Sequence, residues 1–143
     1  MVDGIAFSPN GRSLVSQSRD PSVRIWNLRD GSSRVMPVTG RITFFASVAF
    51  SPDGRYIAGG NFDGSLWIWD SRRYTLVAKW LAHTSCLGCI EFSPDRELFI
   101  SGSDDGTVKC WVVTLLGTGS ERQSFSEIRT FSGHTVRFFL VSF

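Results

Sequence analysis

The sequence has no long hydrophobic run, few histidines and cysteines, and almost no net charge. No apolar stretch approaches the roughly 18 residues that a membrane-spanning helix needs, which excludes a transmembrane helix. Fifteen basic and thirteen acidic side chains give a net charge of +2, which argues against strong electrostatic capture of nucleic acid or a membrane surface. The start, MVDGIAFSPNG, has neither a basic nor an apolar signal region, and the chain has only three cysteines. We therefore expect no secretory signal and a reduced, intracellular setting.

Aromatic residues and glycine, in contrast, are plentiful, and the aromatic residues recur at regular intervals. Twelve Phe and five Trp supply apolar mass for a core, and 14 Gly supply turns. The tripeptide Phe-Ser-Pro occurs three times, in steps of 43 and 42 residues, and a tryptophan follows each of these phenylalanines after 19 residues. The two sets of markers are Phe7, Phe50 and Phe92, and Trp26, Trp69 and Trp111. A length of 143 residues, which suits one domain, therefore divides into three repeats of about 43 residues.

The second repeat predicts four short β-strands. After Phe50, the segment Ser51-Pro52-Asp53-Gly54 has the composition of a tight turn, because proline fixes one dihedral angle and glycine accepts a positive one. The apolar run Tyr56–Ala58, the alternating run Ser65–Trp69 and the β-rich run Thr75–Trp80 then supply three more strands. No segment combines helical length with a period of 3.6 residues, so the chain is predicted to be all β.

The repeats resemble the WD40 family of β-propellers, through Trp69-Asp70, Gly133-His134 and the degraded pairs Trp26-Asn27 and Trp111-Val112. The resemblance implies three four-stranded antiparallel blades of a partial, open propeller with truncated ends. The predicted boundaries are residues 1–40, 41–82, 83–132 with a polar insertion at 115–126, and 133–143 as the start of a further, aborted repeat. The apolar tail after Thr135 lacks the expected continuation, which predicts a fragment or an incomplete gene product.

In that family a buried network joins a histidine before the first strand, a serine or threonine in the second, an aspartate before the third and a tryptophan within it. The third repeat supplies all four residues, and the others supply part of the set, with Arg41 and Gly59 at the histidine and serine positions of the second repeat. The predicted network residues are His83, Ser101, Asp105 and Trp111; Ser16, Asp20 and Trp26; and Asp63 and Trp69.

The sequence offers little material for catalysis or metal binding. His83, Cys86 and Cys89 have the spacing H-x2-C-x2-C, which could indicate zinc. Two cysteines three apart in a predicted strand point to opposite faces, however, and no fourth ligand lies nearby in sequence. No nucleophile motif or phosphate-binding loop occurs outside turn and network positions. The interpretation is a non-enzymatic protein without metal or cofactor.

The resemblance also implies a partner-binding face. Family positions three and five residues after the network histidine, and just before the network aspartate, carry partner contacts. Phe44 and Phe62 would form an apolar patch beside Arg19, typical of an interface; the alternative is that they cover the central channel or pack against neighbouring repeats missing from this chain. The full predicted set is Asp3, Arg19, Phe44, Ala46, Phe62, Cys86, Gly88 and Asp104.

From Ser13 to Trp111 the chain resembles the propeller of fungal Tup-type corepressors, relatives of the Groucho corepressors, notably in YIAGGNFDGSLWIWDSRRYTLVAKW and FISGSDDGTVKCW. This implies a nuclear platform that docks DNA-bound repressors and recruits histone deacetylases without touching nucleic acid or membrane itself. A ubiquitin-ligase substrate receptor, a signalling scaffold or a product without independent function are the alternatives. Open blade faces predict self-association.

Overall fold

The computed structural model describes residues 1–39, 44–95, 98–115 and 123–134, and these residues contain twelve β-strands and no helix. The strands pair in chain order into three four-stranded antiparallel sheets. The first sheet consists of β1 (Val2–Phe7), β2 (Ser13–Ser18), β3 (Val23–Asn27) and β4 (Ser33–Val35). The second consists of β5 (Phe45–Phe50), β6 (Tyr56–Asn61), β7 (Ser65–Asp70) and β8 (Thr75–Leu81). The third consists of β9 (Leu87–Phe92), β10 (Leu98–Ser103), β11 (Thr107–Leu115) and β12 (Gln123–Ser132).

The Phe-Ser-Pro repeats form the tight turns between the first two strands of each sheet. In the second sheet the Tyr56 N–H donates to Ser51 Oγ at 2.9 Å, and this hydroxyl donates to Asp53 at 2.6 Å. Gly54 has a φ of +69°, the left-handed conformation that glycine adopts without strain. Ser8 and Ser93 hold the equivalent turns in the other sheets. A serine hydroxyl thus satisfies the backbone where the ladder begins, which explains why the tripeptide recurs.

The second sheet lies between the other two, and its two faces belong to separate cores. Every residue of β6 and β7 is buried. One core joins its tryptophans Trp67 and Trp69 to Val15 and Ile25 of the first sheet. The other joins Leu66 and its neighbours to apolar residues of the third sheet. Stacked sheets of this kind need apolar residues on both faces of the middle sheet, as the sequence of β7 provides.

The outer face of β1 is open. Ile5 is 64% exposed, whereas Val48 and Ile90, at the same position of the second and third sheets, are 9% and 6% exposed. Phe7 is 68% exposed and its counterpart Phe92 only 8%. In the described part of the chain no sheet packs against this face, so the predicted open, partial propeller is the observed architecture.

The third sheet differs from the sequence interpretation in its last strand. β12 begins at Gln123, so residues 123–126 belong to a strand and not to the polar insertion predicted at 115–126. The reason is pairing: β11 extends to Leu115, and Val113 faces Phe125, whose ring packs against Trp80 and Phe99. Residues 116–122 and the predicted aborted repeat from 135 onward lie outside the described residues.

Within the described ranges, no helix has the length and apolarity needed to cross a bilayer.

Candidate functional site

A chain of hydrogen bonds crosses the third sheet through all four predicted network residues. The Trp111 indole N–H donates to Ser101 Oγ at 2.8 Å, and Ser101 Oγ lies 2.8 Å from His83 Nε2. His83 Nδ1 lies 3.0 Å from a carboxylate oxygen of Asp105. The side chains of His83 and Ser101 are buried, so each of these hydrogen bonds replaces water. We call this set the polar network.

The chemistry of the indole fixes the direction of the donors. An indole N–H can only donate, so Ser101 Oγ accepts this hydrogen bond. The Ser101 hydroxyl in turn donates a hydrogen bond to His83 Nε2. His83 Nδ1 is then the protonated nitrogen and donates to Asp105, a tautomer assigned from its partners. Burial lowers the pKa of His83 below its ordinary value of 6.5, although the Asp105 carboxylate acts in the opposite direction. The imidazole is therefore neutral, as a link that both accepts and donates must be.

Asp105 is held as a carboxylate by the turn that precedes β11. Burial raises its pKa, but hydrogen bonds from the Thr107 hydroxyl, the Thr84 N–H and the Thr107 N–H together lower it by more. The resulting pKa is about 2. Thr107 also lies 3.1 Å from His83 Nδ1 and was missed by the sequence interpretation. The signal was available, since a hydroxyl residue stands two positions after each network aspartate, at Ser22, Ser65 and Thr107.

The second sheet fills the equivalent space with aromatic rings. Gly59 occupies the serine position, and a Cβ there would lie 2.7 Å from the Trp69 ring. The Trp69 indole N–H donates to the carbonyl oxygen of Pro37 at 2.7 Å, away from β6. The rings of Phe45, Trp67 and Trp69 contact one another with centroids 5.6 to 5.8 Å apart, and all three are buried. We call these three rings the aromatic cluster.

Asp63, the predicted network aspartate of the second sheet, acts within its own turn. It accepts the Ser65 N–H at 2.8 Å, and the Ser65 hydroxyl accepts the indole N–H of Trp67 at 2.9 Å. Arg41, at the histidine position, lies outside the described residues. No described contact links Asp63 to Trp69. The two predicted network residues of the second sheet therefore make separate hydrogen bonds, Asp63 with Ser65 and Trp69 with Pro37.

The first sheet forms half of the network. The Trp26 indole N–H donates to Ser16 Oγ at 2.8 Å, as Trp111 does to its serine. Asp20 accepts both the N–H and the hydroxyl of Ser22, and these hydrogen bonds lower its pKa. The structure thus joins Ser16 to Trp26 and leaves Asp20 in its turn.

A cleft between the first and second sheets collects five of the predicted partner-binding residues. It has a volume of about 440 Å³. Phe44 and Phe62 stand edge to face with centroids 6.0 Å apart, and they are 42% and 55% exposed. The Phe62 N–H donates to the Phe44 carbonyl at 2.7 Å, which fixes the two backbones side by side. We call this the aromatic cleft, and its lining residues are Asp3, Arg19, Phe44, Phe45, Ala46 and Phe62.

The aromatic cleft is apolar on one wall and charged on the other. Arg19 Nε lies 3.3 Å from both carboxylate oxygens of Asp3, and the arginine side chain is 60% exposed. Phe45, which the sequence interpretation missed, is buried and belongs to the aromatic cluster as well. Phe45 is the first residue of β5, and Phe44 directly precedes that strand.

Comparison with known sequences identifies the family. The sequence model of WD40 (WD domain, G-beta repeat) matches residues 2–27, 39–70 and 74–112, which is more than half of the chain. The chain belongs to the WD40 family. WD40 propellers are generally non-catalytic and generally bind other proteins.

Several named proteins share these WD40 repeats. Transcription initiation factor TFIID subunit 5 of Caenorhabditis elegans is 28% identical over 142 residues, which is 99% of this chain and 20% of that protein. Nuclear distribution protein PAC1 of Candida tropicalis is 40% identical over 60 residues, which is 41% of this chain and 11% of that protein. The chain therefore spans a fifth or less of the length of these relatives. Neither is a Tup-type corepressor, so that finer resemblance stays a prediction.

Solved WD40 structures share the fold. The structure of U3-55K superposes with a TM-score of 0.82 at 22% sequence identity, and the match covers 95% of this chain and 40% of that one. The crystal structure of the RRP9 WD40 repeats matches with the same values. At this level of identity the similarity establishes the fold alone, and it agrees with an open, partial propeller.

The three remaining predicted partner positions of this WD40 chain lie in the third sheet or directly beside its strands, and they do not line the aromatic cleft. The Asp104 N–H donates to the Cys86 carbonyl at 2.9 Å, which closes the loop before β9. Gly88 lies within β9. The structure thus groups Asp3, Arg19, Phe44, Ala46 and Phe62 and leaves Cys86, Gly88 and Asp104 apart.

The same loop corrects the expectation for the cysteines. Cys86 precedes β9 and only Cys89 lies in it, so the two do not share a strand as predicted. Burial raises the pKa of the Cys89 thiol, which favours the neutral form over a metal-binding thiolate. Among the residues that the structure describes, no three His, Cys, Asp or Glu side chains are grouped to hold a metal ion.

Proposed function

We propose that this chain contributes a non-catalytic protein-docking platform to a WD40 propeller, and that the aromatic cleft is its docking site. The observation that carries the proposal is the exposure of Phe44 and Phe62 in a concave site beside Arg19. Two large rings that remain half exposed in a cleft lose water when a partner side chain enters, and an arginine at the rim can orient it.

The aromatic cluster serves the docking site indirectly. Phe45 lines the floor of the aromatic cleft and packs against Trp67 and Trp69. A rigid floor lowers the entropy that binding would otherwise cost, since fewer side chains must be ordered. The core of the second sheet therefore preorganises the cleft.

Affinity capture with the full chain tests the docking site. Proteins captured by the wild type, identified by mass spectrometry, should be lost with the double variant Phe44→Ala, Phe62→Ala, because hot-spot rings each contribute about 2 kcal/mol or more. Phe131→Ala is the matched control, since Phe131 is 51% exposed but lies in β12. Equal capture by the double variant and the wild type would refute the proposal.

The partner class that we propose is the DNA-bound transcriptional repressor, with histone deacetylases recruited to the same complex in the nucleus. The Tup-like stretch from Ser13 to Trp111 supports this proposal, and the similarity over 99% of the chain to a transcription factor subunit is compatible with it. Fused to a heterologous DNA-binding domain in yeast, the chain should lower reporter expression. Expression unchanged by the wild-type fusion would contradict the corepressor role while leaving protein docking intact.

A docking role in another pathway is the second candidate, because the same cleft serves any partner with a complementary side chain. The similarity to nuclear distribution protein PAC1 supports this candidate. Captured proteins that depend on Phe44 and Phe62 but belong to ubiquitin ligation or signalling would favour it over the corepressor.

A further inference from the structure

A second groove crosses the opposite end of the first and second sheets. It consists of three adjoining clefts with volumes of about 660, 220 and 220 Å³, and Ser13 lines all three. Asn27 is shared by the first and second clefts, and Tyr74 by the second and third. The turns that follow β1, β3 and β7 border it, whereas the aromatic cleft lies at the turns that follow β2 and β6. The two sites are therefore separate surfaces.

Four arginines line this groove, and all four are exposed. Within the described residues, none of them forms an ion pair with an acidic side chain. The Arg34 guanidinium lies over the Tyr74 ring at 4.6 Å from its centroid, which holds one cation in the middle of the groove. We call this surface the arginine groove; its arginines are Arg12, Arg29, Arg34 and Arg72.

The acidic residues of the same turns are engaged locally. Asp30 accepts hydrogen bonds from the N–H and hydroxyl of Ser32. The Ser51 hydroxyl donates to Asp53, the one acidic residue among those that line the groove. Asp70 is only 5% exposed and accepts the backbone N–H groups of Arg72 and Arg73 at 2.9 Å each. The carboxylates thus hold turns together while the four guanidinium groups face solvent.

We propose that the arginine groove binds an extended peptide segment rich in aspartate and glutamate. Guanidinium groups bind carboxylates through paired hydrogen bonds, and the serine and asparagine side chains along the groove can accept or donate further bonds. Three small clefts that share lining residues in succession suit an extended chain better than a nucleic acid duplex. The whole chain carries a net charge of only +2, far from the strongly basic balance of a nucleic-acid-binding domain.

Fluorescence anisotropy of the full chain with a fluorescein-labelled peptide of alternating glutamate and serine tests this proposal. Binding should weaken as the salt concentration rises from about 50 mM to about 500 mM, because exposed charges are screened. The double variant Arg12→Gln, Arg72→Gln, with substitutions in the first and third clefts, should weaken binding about fivefold to tenfold. Each single variant should lose part of this, as expected for one continuous groove.

Two controls separate the groove from general charge and from the aromatic cleft. Arg129→Gln removes an exposed arginine of β12, and Phe44→Ala, Phe62→Ala alters the other surface; both should leave peptide affinity unchanged. Equal binding of the peptide with glutamine in place of glutamate would overturn the proposal. An equal loss with Arg129→Gln, or tighter binding of a single-stranded oligothymidylate of the same charge, would overturn it as well.

Discussion

The second and third sheets are equivalent repeats, but different contacts stabilise their interiors. In the third sheet Trp111 donates to Ser101, and the polar network continues to His83 and Asp105. In the second sheet Gly59 replaces the serine, and Trp69 turns its N–H to the Pro37 carbonyl. The indole N–H at this position is satisfied in both sheets, by a serine hydroxyl in one and by a backbone carbonyl in the other.

In the second sheet, the differences from the third sheet at several positions fit together. Removing the side chain at Gly59 makes room for the Trp69 ring, and Trp67 then fills the position of Lys109 in the third sheet. The resulting aromatic cluster replaces hydrogen bonds by buried apolar area and by edge-to-face contacts. The repeat that lacks the histidine and serine thus fills the same part of its interior with aromatic rings.

The largest expected effect is the loss of either tryptophan. Trp111→Ala and Trp69→Ala should each lower the free energy of unfolding by about 3 to 5 kcal/mol, the usual cost of removing a large buried aromatic ring. Urea denaturation followed by fluorescence measures this. Phe131→Ala, at a half-exposed position, should change it by less than about 0.5 kcal/mol. An unchanged denaturation midpoint for either tryptophan variant would refute the equivalence of the two sheets.

A smaller effect is expected when the serine of the family pattern is restored in the second sheet. Gly59→Ser should lower the free energy of unfolding by about 1 to 3 kcal/mol, because the new Cβ meets a buried ring at 2.7 Å. Gly59→Ala is the matched variant and should cost a similar amount, since crowding and not polarity is the cause. The same urea denaturation measures both, and a stabilised Gly59→Ser would show that the aromatic cluster tolerates a polar network.

The smallest expected effect is a pH dependence that belongs to the third sheet. His83 has a pKa below 6.5 when folded, so below that pH the unfolded chain takes up a proton that the folded chain does not. Stability should therefore fall as the pH decreases from 6.5. Asp105, with a pKa of about 2, adds a further loss only below its ordinary value of 3.8.

His83→Gln should flatten this decline between pH 6.5 and 4, whereas His134→Gln, at an exposed histidine, should retain it. Denaturation midpoints measured across this range give the comparison. A decline that persists unchanged in His83→Gln would place its origin outside the polar network.

Much of the fold could be predicted from the sequence because its signals are local. The serine, aspartate and glycine of residues 51–54 make the predicted turn by contacts among near neighbours. The start of β12 could not be predicted, because the polar composition of residues 123–126 indicates a loop and only the pairing with β11 makes them a strand.

Of the two candidate sites, one was predicted from the sequence and one was not. Family positions predicted that Phe44, Phe62 and Arg19 matter together, and the structure brings them to one cleft. The arginine groove had no sequence signal, because its arginines lie in three different turns and in β4. The sequence shows that the second repeat lacks the network histidine and serine, but not that Trp69 donates to the Pro37 carbonyl instead.

The sequence by itself determined the repeat, the turns and the alternation of buried residues, because each depends on side chains within a few positions of one another. Only the tertiary structure decided which way each indole turns and which clefts form. Those outcomes depend on the side-chain volume available between neighbouring sheets and on which acceptor lies within reach of each buried N–H. Both are fixed only when the sheets pack together.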